Sequence, residues 1–96
     1  MALHHLESGE IANLRPLGGD ALSTQSSALF KTEQLEVIRL VIARGREMPL
    51  HKVPGEITVQ CLEGVIEFET PGRVQKLQAG QLLFLCGGIP HSLRAL

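Results

Sequence analysis

Gly80-Gln81-Leu82-Leu83-Phe84-Leu85-Cys86-Gly87-Gly88-Ile89-Pro90-His91 runs from a glycine turn through an apolar stretch to a single histidine. Gly45-Arg46-Glu47-Met48-Pro49-Leu50-His51 repeats that outline earlier in the chain and continues to Gly64. Each opens on a glycine, the residue that tolerates turns a Cβ would strain. Two such segments in order, with a hairpin between them, imply a β-structure that aims both histidines at one cavity.

Working outward, the chain from Ser27 on reads as short strands separated by turns. The strands expected are 28–32, 35–43, 48–51, 57–63, 65–70, 74–77, 82–85 and 91–96, with Gly or Pro in most of the gaps. Thr70-Pro71-Gly72-Arg73 suits a type II turn, because Pro presets φ at its second position and Gly accepts a positive φ at its third. No segment keeps a helical repeat for ten residues. Short strands at regular spacing indicate an all-β sandwich or barrel. Alternation gives the strands faces. Ile57, Val59 and Cys61 share one, and Ile66 and Phe68 oppose Glu67 and Glu69. The stretch 35–43 is apolar on both faces except at Glu36 and Arg39, which predicts a second layer or a subunit contact. Residues 1–26 are broken by Gly9, Pro16 and Gly18-Gly19, so they are expected to form an extended arm with at most one or two helical turns over Glu7–Leu14. The arm would dock Ile11, Leu14, Leu17 and Leu22 on its own barrel, residues 27–96, or on a partner.

The 96 residues suit one domain with a modest core, which a second copy would help to complete. A net charge of −1, scattered Lys and Arg, and only three aromatic residues argue against nucleic acid, which calls for a basic stripe and stacking rings. Apolar runs are too short to span a bilayer. No signal-peptide pattern opens the chain. Cys61 and Cys86, set in apolar runs, are read as reduced thiols of a cytoplasmic protein.

The two glycine-to-histidine segments resemble the motifs of the cupins, small jelly-roll β-barrels (double-stranded β-helices) of the RmlC-like kind. The resemblance covers roughly residues 27–96. The first cupin motif, G-x5-H-x-H-x3-E-x6-G, is met by Gly45, His51 and Gly64, with Val53 at the second His position and Ile57 at the Glu position. The second, G-x5-P-x-G-x2-H-x3-N, is met by Gly80, Gly88 and His91, with Cys86 for Pro and Ala95 for Asn. The resemblance implies a single-domain cupin that pairs as a homodimer, with the stretch 35–43 and the arm as the contact. It does not fix an activity, since the fold serves dioxygenases, isomerases, decarboxylases, sensory domains and storage proteins.

In a cupin, three His and one Glu converge on zinc, iron, manganese, nickel or another divalent metal. Position by position, only His51 and His91 remain as metal ligands, and two imidazoles alone hold a metal weakly. Glu56 is one residue away from the Glu position, so it points to the other face unless Pro54-Gly55 bulges the strand. The expected site is therefore a cavity lined by His51, Val53, Ile57, Val59, Cys61, Phe84, His91 and Leu93. Its composition suits a small, partly apolar ligand steered by one or two hydrogen bonds. The alternative is a metal-dependent dioxygenase or isomerase using His51, His91 and an unconventional third ligand. A further alternative is an interaction module without chemistry, so whether the chain is an enzyme stays open at this stage.

Overall fold

The structure is a computed structural model that describes residues 4–96, apart from the side chain of Leu22. Residues 1–3 of the expected arm, and the docking expected of Leu22, lie outside the described residues. The described residues are all-β, with eight strands and one short 3-10 helix among them. It divides into two compact units, Met1–Val41 and Ile42–Leu96. No helix among the described residues is long and apolar enough to cross a membrane.

The first unit holds strands β1 (Ser27–Lys31) and β2 (Glu36–Arg39), paired antiparallel with an irregularity between Ala28 and Phe30. Residues 4–26 before them hold no strand, and the helical turn expected there lies elsewhere. Glu7–Leu14 forms no helix: Gly9 has φ 88°, and the Glu10 carboxylate accepts from the Glu7 N–H (2.7 Å) and meets His4 Nε2 at 2.9 Å. These two contacts, the backbone one first, hold the Glu10 carboxyl below its ordinary range. The helix forms at Gly18–Ser23 instead, where the Ser23 and Thr24 hydroxyls both donate to the Asp20 carbonyl. Its i→i+3 bonds need only a few residues in sequence, so the glycines that rule out a longer α-helix do not prevent it.

Arg39 fastens the arm to β2, donating to the carbonyls of Arg15 (2.6 Å) and Asn13 (3.4 Å). The strand expected over 35–43 is cut to Glu36–Arg39. Leu35, Ile38 and Leu40 are exposed, so this stretch is not buried on both faces within one copy. Ile11 is 93% exposed and Leu14 is exposed too, so within one copy neither of these two arm residues is docked.

The second unit holds β3 (Glu47–His51), β4 (Ile57–Gln60), β5 (Val65–Thr70), β6 (Arg73–Gln78), β7 (Leu82–Leu85) and β8 (His91–Ala95). They form a four-stranded sheet in the order β3-β8-β5-β6 and a two-stranded sheet, β4-β7. All pairs are antiparallel. Thr70 pairs with Arg73, so Pro71-Gly72 is a two-residue hairpin loop, and Gly72 takes the expected positive φ of 72°.

Side-chain alternation divides the larger sheet cleanly. One face carries a row of alternating charge, Glu47, Arg94, Glu67 and Lys76 on neighbouring strands, with Arg94 and Glu67 in contact at 3.2 Å. Opposite charges side by side across strands keep that face soluble at little energetic consequence. The other face holds the core: Phe68, Leu93, Leu77 and Ala95 are buried, and His91 lies among them.

Candidate functional site

His91 and Leu93 are inward-facing neighbours on β8, two residues apart, and both are buried. The partner strand β3 brings His51 opposite His91, and the way it does so is the main structural feature of the site. Met48 pairs with Leu93 and His51 pairs with His91, so three steps along β3 match two along β8. An extra residue of this kind is a β-bulge, a device that re-aims side chains. In a straight strand Leu50 would face His91, and His51 would turn to the charged face. The bulge reverses this: Leu50 is left 69% exposed and His51 joins His91. Pro49 marks the spot, because a residue without an N–H is tolerated in a strand chiefly at edges and bulges.

The two imidazoles are 4.3 Å apart between ring centroids, inclined at 59°. Each is fixed by the same contact. His51 Nδ1 lies 3.1 Å from the Pro49 carbonyl, and His91 Nδ1 lies 2.9 Å from the Ile89 carbonyl. A carbonyl oxygen can only accept, so Nδ1 carries the proton in both rings, and in the neutral ring Nε2 carries the lone pair. Phe68 supports His91, nearly parallel to it (11°) at 5.6 Å between ring centroids. His91 is only 4% exposed, whereas His51 is open to solvent. Among the described residues no buried side-chain nitrogen lacks a partner. Among the described residues the ring of His91 makes its hydrogen bond at Nδ1, so Nε2 is the atom of that ring left in reach of the open side.

The remaining residues of the expected cavity are placed differently. Ile57 and Val59 share one face of the β4-β7 sheet with Leu83 and Leu85. Phe84 does not line that face: it pairs with Thr58 on the opposite side and is 59% exposed, because it alternates with Leu83 and Leu85. It lines instead a cleft of about 370 Å³ between β6 and β7, together with Gln75, Leu77 and Leu82. That cleft contains neither histidine. Val53 lies in the loop after β3, half-buried, with its carbonyl accepting from the Gly88 N–H at 2.7 Å. Cys61 is buried just beyond β4, its thiol turned to the carbonyls of Glu63 and Gly64 (3.4 and 3.5 Å). Cys86 is exposed and outside the strands, so it is not a core thiol; both cysteines are free.

Among the described residues no three His, Cys, Asp or Glu side chains gather closely enough to hold a metal ion. Glu56 precedes β4 and is exposed. The donor set on this face ends at two imidazoles, which does not fit a tightly held resident metal. Sequence reasoning missed both Phe68 as the support of His91 and the bulge. Pro49 within a strand was the available signal for the bulge.

Deleting Leu50 tests the bulge directly. The shortened strand is regular and still sets the same histidine opposite His91. The expected result is a folded protein that keeps the nuclear Overhauser contact between the two rings. Its melting temperature should stay within about 5 °C of the parent, a shift equivalent to roughly 1 kcal/mol. Deleting Glu67 from the bulge-free β5 should instead turn Phe68 to the charged face and unfold the protein. Loss of the ring-to-ring contact on deleting Leu50 would show that the extra residue does not aim His51.

With this geometry in place, the chain can be set against known proteins. No family model and no curated protein matches it. Among solved structures it is similar to the crystal structure of a conserved protein of unknown function from Streptococcus pyogenes. The identity is 26% and the TM-score 0.71, over 99% of this chain and 87% of that one. No function comes with that likeness.

Proposed function

We propose that this chain is a small single-domain cupin that holds a small, partly apolar molecule at His51 and His91, its metal-binding motifs reduced below what a resident ion needs. The observation that carries this reading is the bulge in β3. Straightening the strand would bury Leu50, worth roughly 1–2 kcal/mol at its present exposure. The chain instead exposes a leucine and presents an imidazole, a local departure from good packing of the kind that accompanies functional sites.

Topology supports the jelly-roll part of the reading. The pairs β3–β8, β4–β7 and β5–β6 nest around the Pro71-Gly72 turn, as in a long hairpin rolled over on itself. The motif glycines Gly45, Gly64, Gly80 and Gly88 all have φ between 75° and 88°, where a Cβ is strained. The metal-dependent dioxygenase or isomerase would need a third donor that the described residues do not place beside the pair. A homodimer agrees with the exposed Leu35, Ile38 and Leu40, which a second copy would cover. Free thiols agree with a reducing, cytoplasmic setting.

Elemental analysis of protein purified without chelator, followed by titration of the apo protein with small aromatic fragments, tests the proposal. The expected result is folded protein with substoichiometric metal, in which fragments shift the ring resonances of His51 and His91. A stoichiometric metal that disappears in His51→Ala or His91→Ala would overturn it.

A further inference from the structure

Resting on the reading above, we infer that the molecule held at His51 and His91 is neutral and donates hydrogen bonds to them from an apolar frame, which places it in the alcohol or phenol class and excludes carboxylates and phosphates. Three observations lead there. First, both rings spend their Nδ1 proton on a backbone carbonyl of their own chain, so what the neutral pair offers a ligand is Nε2 lone pairs. A site that presents acceptors rewards a donor and gains nothing from another acceptor.

Second, the inward sheet face beside the pair supplies no charge to balance an ion, and the charged residues of the loop after β3, Lys52 and Glu56, are exposed. The inward residues beside the pair are Met48, Leu93, Phe68 and Thr70, while Glu47, Glu67, Glu69 and Arg94 alternate to the other face. Arg73 shares the inward face, but it is exposed at the hairpin end and two strands from His91, about 10 Å at the usual strand spacing. On the inward face a carboxylate or phosphate would meet lone pairs, and the cation nearest in sequence, Lys52, is exposed and screened by solvent. An ammonium would meet no carboxylate on that face. Desolvating either without a buried counter-charge is costly.

Third, the face a ligand meets is an imidazole. Phe68, buried in the core, lies almost parallel to His91 and fixes its plane, and tilted, exposed His51 leaves the approach open. An imidazole face suits a ring or a short hydrocarbon frame, with the hydroxyl group reaching the Nε2 atoms. Two acceptors left unpaired on burial make the site reject the same frame without its donor, since an unmade buried hydrogen bond costs more than a made one contributes.

Phenol, anisole and benzoate separate these features on one ring. They would be titrated into the full chain at pH 8 with chelator present, following the side-chain nitrogen and carbon resonances of His51 and His91. Phenol should bind at least ten-fold more tightly than anisole, and benzoate should not bind. In His51→Phe, which keeps a ring at an exposed position but removes its acceptor, the preference for phenol over anisole should collapse. Equal binding of phenol and anisole at the pair would overturn the inference and leave the pocket reading standing, as would tighter binding of benzoate or an unchanged preference in His51→Phe. If no probe moves either histidine, both the inference and the pocket reading fall.

Discussion

Gly87→Ala lowers the melting temperature by more than about 10 °C, and Gly88→Ala, one residue on, by about half as much. The two glycines are adjacent and do different work. A Cβ on Gly88 meets nothing within 4 Å, and its cost is only that of φ 78° for a residue with a side chain, about 1–2 kcal/mol. A Cβ on Gly87 falls inside contact distance of the backbone of Pro54, chiefly its carbonyl oxygen, and against Gly55. Backbone cannot rotate out of the way as a side-chain tip can, so the loop 52–56 has to separate from the loop 86–90. That separation breaks the Gly88 N–H to Val53 carbonyl bond, worth about 1 kcal/mol. Steric overpacking adds about 1–3 kcal/mol. A total of about 3 kcal/mol is a large share of the stability of a chain of this size. Thermal or urea unfolding of the two variants reads the difference. The loops flank both histidines, so Gly87→Ala should also broaden the ring resonances of His51 and His91. Near-equal unfolding midpoints for the two variants would show that the loops do not meet as closely as this structure has them.

Gly87 also shows where sequence reading stops. The glycine pattern picks out Gly88, a requirement of local backbone conformation that a turn imposes wherever the rest of the chain lies. The requirement at Gly87 comes from Pro54, thirty-three residues away, and no local pattern records it. The strands divide the same way. Val65–Thr70 and Leu82–Leu85 were legible to the residue, because alternation and flanking turn residues agree there. The stretches 35–43 and 57–63 were expected too long. Apolar residues continue past Arg39 and Gln60, but the strands do not: Cys61 donates to the Gln81 carbonyl and accepts from the Gly80 N–H outside the paired register, and Leu40–Ala43 belongs to no strand. The histidine pair was legible in part. Motif spacing set His51 and His91 apart from His4 and His5, but strict alternation along β3 would have pointed His51 outward. Phe84 was assigned to the cavity by composition when its own alternation with Leu83 and Leu85 places it outside.

Phe68→Ala should be the most destabilising single substitution in the chain, by about 3–5 kcal/mol, the usual range for deleting a buried phenyl group. Phe68 is 1% exposed and sits mid-sheet, paired with Leu93 on one side and Gln75 on the other. Among the described residues only four other hydrophobic residues, Cys61, Leu77, Leu93 and Ala95, are buried, so the neighbours have few side chains with which to refill the space. Phe68→Leu separates packing from ring chemistry. It keeps most of the volume, should cost about 1–2 kcal/mol, and leaves a folded protein, but it removes the ring that lies parallel to His91. The His91 ring protons should therefore lose the ring-current shift that Phe68 imposes. The Nδ1 contact with the Ile89 carbonyl is local to the loop that enters β8 and should persist. His51, whose anchor is on β3, should be disturbed less than His91. Folded Phe68→Leu protein with His91 shifts unchanged from the parent would mean that the phenyl ring does not support the pair. The site would then rest on the bulge and the two carbonyl contacts alone.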